Sequence, residues 1–296
     1  MNNQSSDFRS GVVPIVGRPN VGKSTLINCL VGEKIAIVSS KPQTTWNRLL
    51  GIKTLPHAQI LFFDTPGIHD AASKFNAALR IAARGALRDA DCVLHMVEAG
   101  GPFPDPDGEE LARKFLAGVT APIILVINKI DRGAGAVAEP SLSFPYARVM
   151  RISALIGTGV DLLVDEIVSL LPVGPSYYPA DAMTDQTERF MAGEIIREKI
   201  FELTHQEIPY SCAVAVEEFT QREEGAIFIR ASLAVAKDSH KGILIGARGK
   251  RLKEIGQAAR KDIEQLLDSR VYLDLWVKVE KDWQKKDYAL KEFGLM

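Results

Sequence analysis

Residues Gly17–Ser24 read GRPNVGKS, a fit to GxxxxGK[ST] set between the apolar run Val12–Val16 and the helix-forming stretch Lys23–Leu30. Few folds are open to such a segment. A strand must end, backbone N–H groups must wrap an anion, and a helix must begin with its N-terminus turned toward the same anion. Gly17, Arg18, Pro19, Asn20, Val21, Gly22, Lys23, Ser24 and Thr25 are therefore expected to hold the phosphates of a nucleotide. Lys23 places a charge at the β and γ phosphates, and the Ser24 hydroxyl is a magnesium ligand.

The surrounding pattern agrees. Short β-branched runs at Val12–Val16, Ile60–Phe63, Cys92–Val97, Ile123–Ile127 and Arg148–Ile152 alternate with helix-like stretches at Lys23–Leu30, Phe75–Ala86, Glu109–Leu116 and Val160–Leu170. This predicts an α/β domain, a mostly parallel sheet with helices on both faces and its ligand beyond the carboxyl ends of the strands. Leu171–Pro179 (LPVGPSYYP) cannot continue a helix. The expected organisation is a flexible N-terminus over 1–10, the nucleotide domain over 11–172, a linker over 173–187, and a second, α+β domain over 188–296. That domain reads as helix (Glu188–Leu203), two strands (Ala213–Glu217, Ala226–Val235), helix (Lys250–Leu267) and strand (Val271–Val279).

The base is addressed by Asn128-Lys129-Ile130-Asp131, at the end of an apolar strand. The Asp131 carboxylate can accept from guanine N1–H and its 2-amino group, whereas adenine would face it with an acceptor. Asn128 can tie this loop to the phosphate loop, the Lys129 stem can lie over the ring, and Ser153-Ala154-Leu155 can offer a backbone N–H to the guanine carbonyl. Asp64-Thr65-Pro66-Gly67 also ends a strand: Asp64 reaches magnesium through water and the Gly67 N–H senses the γ-phosphate. In Gln43-Thr44-Thr45, Thr45 is taken as the threonine that closes over the metal when the third phosphate is present.

The 296 residues carry 36 Lys+Arg against 37 Asp+Glu, a net charge of −1, so a nucleic-acid surface has to be a local patch. One exists. Residues 241–260 hold Lys241, Arg248, Lys250, Arg251, Lys253 and Arg260 against Glu254 alone, a local charge of +5. Within it Gly246-Ala247-Arg248-Gly249 is a GxxG loop, read as lying between an apolar strand (Ile243-Leu244-Ile245) and a basic helix, where the glycines admit a nucleic-acid backbone. Ile243, Ile245, Leu252 and Ile255 are the candidate base platform. Trp276 interrupts an apolar strand and is read as core; Trp283 is left open between core and platform. Cys29, Cys92 and Cys212 show no CxxC spacing and read as small core residues in a reducing compartment. No signal peptide is recognisable at Met1–Ser10, and no apolar run approaches the roughly 18 residues of a membrane span.

With GRPNVGKS, QTT, DTPG, NKID and SAL in order, residues 11–172 resemble the translation-factor class of GTPases. RFMAGEIIREKI (Arg189–Ile200) and LDLWVKV (Leu273–Val279) carry the resemblance to the Era family of bacterial ribosome-assembly GTPases, a TrmE-Era-EngA-like GTPase domain followed by a type 2 KH domain. The resemblance implies GTP and GDP with Mg2+ as ligands, slow GTP hydrolysis, and the 3′ end of 16S rRNA and the 30S subunit as partners, with no DNA. It also implies a cytoplasmic protein with weak peripheral association at the inner membrane, whose only footprint is the basic patch. Lys241, Ile243, Ile245, Gly246, Ala247, Arg248, Gly249, Lys250, Arg251 and Lys253 are the RNA-binding set. Lys23, Thr45, Gly67 and Asn20 are the hydrolytic set, Asn20 through a K+ ion bridging the phosphates; a plain turn-forming Asn is the alternative. Two departures stand out. Ile68 occupies the place of a water-orienting glutamine, followed by His69, and Trp46 stands where relatives carry arginine after QTT. Competing readings are a constitutive RNA-binding module with a structural nucleotide, and a P-loop kinase, which Asp131 argues against.

Overall fold

The computed structural model of the chain describes residues 7–39, 41, 45–46, 49–65, 84–100, 115–133, 145–222 and 225–293. Strands β1 (Arg9–Gly17), β2 (Leu49–Leu55), β3 (Ala58–Asp64), β4 (Val93–Glu98), β5 (Ile123–Asn128) and β6 (Arg148–Arg151) form one sheet in the order β2-β3-β1-β4-β5-β6. All neighbours are parallel except β2, which pairs antiparallel with β3 and was absent from the expected set. β3 and β5 are buried at every position, as continuous apolar runs must be when helices cover both faces of a sheet. Helix α1 (Lys23–Val31) follows the glycine-rich turn, and α2 (Val160–Leu170) buries Val160, Leu163, Val164, Ile167 and Val168 at helical spacing. Of the helices expected over Phe75–Ala86 and Glu109–Leu116, only residues 84–86 and 115–116 are described, and these are helical.

The described residues divide into two compact units. The first runs to residue 36 and resumes from Thr45 to Asp185; the second holds 37–39, 41 and the chain from Gln186 onward. Two expected boundaries change. The N-terminal segment joins the sheet from Arg9, whose guanidinium donates to the Leu171 carbonyl, and Ser10 is buried. The stretch expected as a linker is docked on the first unit as far as Asp185. The cause is Gln59, fully buried in β3: its Oε1 accepts from the N–H groups of Tyr177 (2.7 Å) and Tyr178 (2.9 Å), and its Nε2 donates to the Tyr178 carbonyl (2.9 Å). The Ile52 N–H adds a bond to the Met183 carbonyl (2.8 Å).

In the second unit, α3 (Glu188–Leu203) starts at Thr187, whose hydroxyl accepts from the Phe190 N–H (3.2 Å). Then come α4 (Ile208–Ser211), β7 (Cys212–Gln221), β8 (Ile227–Val235), α5 (Asp238–Ile245), α6 (Lys250–Leu267), β9 (Val271–Val279) and α7 (Asp287–Glu292). β8 is central, antiparallel to β7 and parallel to β9. The core joins Ile196 and Ile200 of α3, Ile229 and Leu233 of β8, and Ile255 and Ile263 of α6. Val271, Leu273, Leu275, Val277 and Val279 all face it, as their alternation predicts.

Several local expectations are corrected here. Ile243-Leu244-Ile245 is the last turn of helix α5, so the GxxG loop joins two helices. A strand would bury Ile243 and Ile245; instead Leu244 is buried while Ile243 is 52% exposed. Ile255 is core and unavailable as a platform. Trp276 is 40% exposed, its indole N–H bonded to Glu217 (3.1 Å), whereas Trp283 is fully buried and donates to the Ser211 carbonyl (3.0 Å). Cys92 and Cys212 are buried and Cys29 is partly exposed. Among the described residues no helix is long and apolar enough to cross a membrane.

Candidate nucleotide site and nucleic-acid groove

The sheet order turns at β1, which lies between β3 and β4, and the first unit's motifs collect beyond the carboxyl ends of its parallel strands. Gly17 ends β1 and Lys23 opens α1. The Lys23 ammonium bonds to the carbonyls of Gly17 (3.2 Å) and Arg18 (3.0 Å), folded into its own loop. Burial pulls its pKa down to about 8, against the attraction of Asp64. Asn20 has a left-handed backbone (φ 65°) at an exposed turn. Gly22 (φ 101°) is required twice over, because a Cβ there would collide with the amide of Asn128.

Ser24, Thr45 and Asp64 converge. The Ser24 hydroxyl donates to Asp64 Oδ2 (2.6 Å), the Thr45 hydroxyl donates to the same oxygen (3.1 Å), and the two hydroxyls lie 3.2 Å apart. Burial raises the Asp64 pKa, while Lys23, the two hydroxyls and the Thr65 N–H pull it back. Among the described residues Asp64 Oδ1 has no well-formed hydrogen bond, although it is buried. Two hydroxyls and a carboxylate with a spare buried oxygen make a hard-oxygen donor set that fits magnesium. Thr65 is buried and donates to the Ile15 carbonyl (2.7 Å), fixing the start of the DTPG turn on β1. Trp46 is buried and adds to the core. Gln43, Thr44, Pro66, Gly67, Ile68 and His69 lie outside the described residues.

Asn128 joins three loops. Its Nδ2 donates to the Val21 carbonyl of the phosphate loop (2.8 Å), and its Oδ1 accepts from the Ala154 N–H (2.9 Å). The tie to the phosphate loop was expected; the use of the Ala154 N–H by Asn128 was not. Asp131 is exposed, with Oδ1 held by the Ser153 hydroxyl (2.5 Å), so the carboxylate is oriented before any base arrives. Leu155 is 74% exposed. Two further residues escaped the sequence reading. Glu98 binds the Lys129 ammonium (2.8 Å), and Asn28 organises the chain beyond α1 by accepting from Ile35 N–H (3.0 Å) and Ala36 N–H (2.8 Å). Neither sits in a motif; only their polar character in otherwise apolar segments marks them.

In the second unit, a groove of about 410 Å3 runs along α6 from Gly249 past Leu252, Lys253, Gly256, Gln257 and Arg260, walled by Leu273, Asp274 and Leu275 of β9. Lys241, Arg248, Lys250, Lys253 and Arg260 form no ion pair among the described residues, and all but the half-buried Lys241 are exposed. Arg251 differs: it donates to the Leu203 carbonyl and pairs with Glu254 (3.5 Å). Of the expected RNA-binding set, Gly249 and Lys253 line the groove, whereas Lys241, Ile243, Ile245, Gly246, Ala247, Arg248, Lys250 and Arg251 do not. Gly256, Gln257 and Arg260 follow Gly249 at helical spacing, a signal present in the sequence but left unused.

Comparison with known proteins gives the chain's family. A family described as "50S ribosome-binding GTPase" matches residues 12–129, and the KH domain family matches residues 207–284. The GTPase Era of Geobacter metallireducens is 50% identical over 293 residues, 97% of this chain and 98% of that protein. The GTPase Era of Geotalea uraniireducens is 48% identical over 292 residues, with the same coverage. A crystal structure of a point variant of Aquifex aeolicus Era bound to GDP.AlF4− is 39% identical and superposes with a TM-score of 0.93, covering 97% of this chain and 99% of that one. A structure of Era in complex with MgGDPNP and nucleotides 1506–1542 of 16S ribosomal RNA is 38% identical, with a TM-score of 0.90 and the same coverage. Identity near one half, sustained across both units, means that this chain belongs to the Era family of GTPases, a P-loop GTPase domain followed by a KH domain.

Proposed function

We propose that the chain is a GTP-switched RNA-binding protein that grips the 3′ region of 16S rRNA during assembly of the small ribosomal subunit. Its GTPase domain would hold GTP or GDP on Gly17–Thr25, with the base read by Asp131, Asn128, Lys129 and the Ser153–Leu155 turn. Ser24 and Thr45 directly, and Asp64 through water, would hold Mg2+, which when bound neutralises charge on the phosphates. Lys23 and the Gly67 N–H face the γ-phosphate, and loss of that phosphate releases Thr45. Without a water-orienting glutamine, intrinsic turnover is slow, and it is faster in potassium than in sodium salts through Asn20; equal rates in both salts remove Asn20 from this role. The KH domain, 188–296, takes single-stranded RNA in the α6–β9 groove. The compartment is the cytoplasm, with weak peripheral attachment to the inner membrane through the basic patch.

The observation that carries this reading is the full-length likeness to an Era solved with MgGDPNP and 16S rRNA nucleotides on the same two-domain arrangement of families. The broader name of the family matching residues 12–129 speaks for the GTPase class and carries less weight than a likeness along the whole chain. The test is equilibrium binding of a short single-stranded RNA from the 16S 3′ end, with GTP analogue, with GDP, and against a scrambled RNA at fixed salt. Tighter, sequence-selective binding in the GTP-analogue state supports the switch. Equal affinity in both states means that the nucleotide serves only the fold; indifference to sequence strikes the rRNA assignment.

A further inference from the structure

Glu98 closes β4 directly beside Asn128, its register partner on β5. Each of its carboxylate oxygens takes one cation: Oε2 holds the Lys129 ammonium and Oε1 holds Arg132, both at 2.8 Å. The two pairs differ in environment. Lys129's side chain is 17% exposed, whereas Arg132's is 63% exposed, so the Lys129 pair is the less screened. Lys129 is also fixed from its other end, because its backbone is left-handed (φ 66°), a conformation that side-chain-bearing residues seldom adopt. The residue is thus locked at its Cα by the turn and at its Nζ by Glu98. What lies between is a four-carbon apolar stem, on the loop that carries Asp131.

We propose that Glu98 is a positioning residue for base binding: it holds the Lys129 stem extended as a rigid wall against the purine face. This rests on the reading of Asn128–Asp131 as the guanine site. The role follows from what a free lysine does. Released from Glu98, the ammonium turns to water and the stem regains its rotamers, so each binding event has to order it again. The contact between stem and ring is with the face of the base and is blind to its edge. Glu98 therefore strengthens the grip on any purine that Asp131 admits and leaves the choice among purines to Asp131.

The test measures release of GDP and of IDP, which lacks the 2-amino group, from full-length protein. Glu98→Ala and the near-isosteric Glu98→Gln are each made in the wild-type and Lys129→Met backgrounds; methionine keeps an unbranched apolar stem but has no ammonium. The expected result is about three- to tenfold faster release of both nucleotides in Glu98→Ala, by the same factor for each, with the loss falling on KM for GTP rather than on kcat. In the Lys129→Met background, removing Glu98 should change release less than twofold. Unchanged release in the wild-type background overturns the proposal. So does an equal acceleration in the Lys129→Met background, which would make Glu98 a structural residue of β4. Asp131→Asn separates the two layers. If it leaves the preference for guanine over xanthine nucleotides intact, the base-site reading fails. If that preference reverses while Glu98→Ala changes nothing, only the role of Glu98 fails.

Discussion

At the nucleotide end of the first unit Lys23, Asn128 and Ser153 are buried and already bonded, whereas along the second unit's groove Lys253 and Arg260 stand in water. Asn128 is 2% exposed and commits both ends of its amide to neighbouring loops; Ser153, fully buried, fixes Asp131. Lys253 and Arg260 line an open groove and have no ion pair among the described residues. A buried polar network costs much to disturb and gives selectivity, since a wrong ligand leaves fixed groups unpaired. An open row of cations gives attraction without fixed geometry, driven by released counterions and weakened by salt. The same chain thus offers two physical routes to phosphate-bearing ligands.

The largest expected effect tests the buried side of that contrast. Asn128→Ala strands the Val21 carbonyl and the Ala154 N–H in the interior. It should cost about 3 kcal/mol, on the order of 10 °C in the melting temperature of the first unit, and weaken GDP binding by at least about 100-fold. Arg260→Ala should move neither melting transition by more than about 1 °C. Differential scanning calorimetry compares the two, and equal small shifts would dissolve the distinction.

A smaller effect comes from Lys23, a buried cation of the nucleotide site. Lys23 has a pKa of about 8 in the free protein because burial disfavours its charge. Nucleotide phosphates raise that pKa, so binding takes up a proton once the free lysine has begun to lose its own. Affinity is then flat below pH 8 and declines above it, by about tenfold between pH 7 and pH 9. Lys23→Met should bind weakly but with a flat profile over the same range, read by calorimetric titration in buffers of different ionisation enthalpy. A profile in the wild type that is flat, or that rises with pH, would show that Lys23 is already fully charged in the free protein.

How much of this was legible in the sequence depended on whether a feature is local. The phosphate loop, NKID and SAL are contiguous runs in which glycine, asparagine and aspartate are demanded by backbone geometry and donor pattern, so residue order alone locates them. Within β3, the apolar run Ile60–Phe63 that stops at Asp64 was equally plain. The α5 helix was mistaken because Ile243-Leu244-Ile245 is too short to show a period, and β-branched residues tilt such a run toward strand. Glu98, Gln59 and the β9 wall of the groove depend on partners between 31 and 119 positions away or on neighbouring elements, and no local pattern records those pairings. Trp276 was misplaced for a related reason. Alternation says which residues share a face of β9 but not which face is covered, and Trp276 lies opposite Ser232 on the side away from Leu275 and Val277.

The smallest expected effect probes the open groove. Lys253 lies one turn into α6 beside Gly249, exposed and without an ion pair among the described residues, so it acts on a nucleic-acid backbone as an isolated charge. Lys253→Ala should weaken binding of single-stranded RNA about three- to fivefold at moderate salt, by a similar factor for cognate and scrambled sequences. It should also reduce the slope of log affinity against log salt by about 0.7, the share of one phosphate contact. The nucleotide site predicts the reverse pattern at Asp131, where substitution changes base selectivity and leaves the salt slope nearly unaltered. Fluorescence anisotropy over a salt series gives both numbers from one titration set. If Lys253→Ala instead abolished the preference for one RNA sequence and spared the slope, the groove would be reading bases through an ordered lysine, and the contrast between a preformed pocket and an electrostatic groove would have to be abandoned.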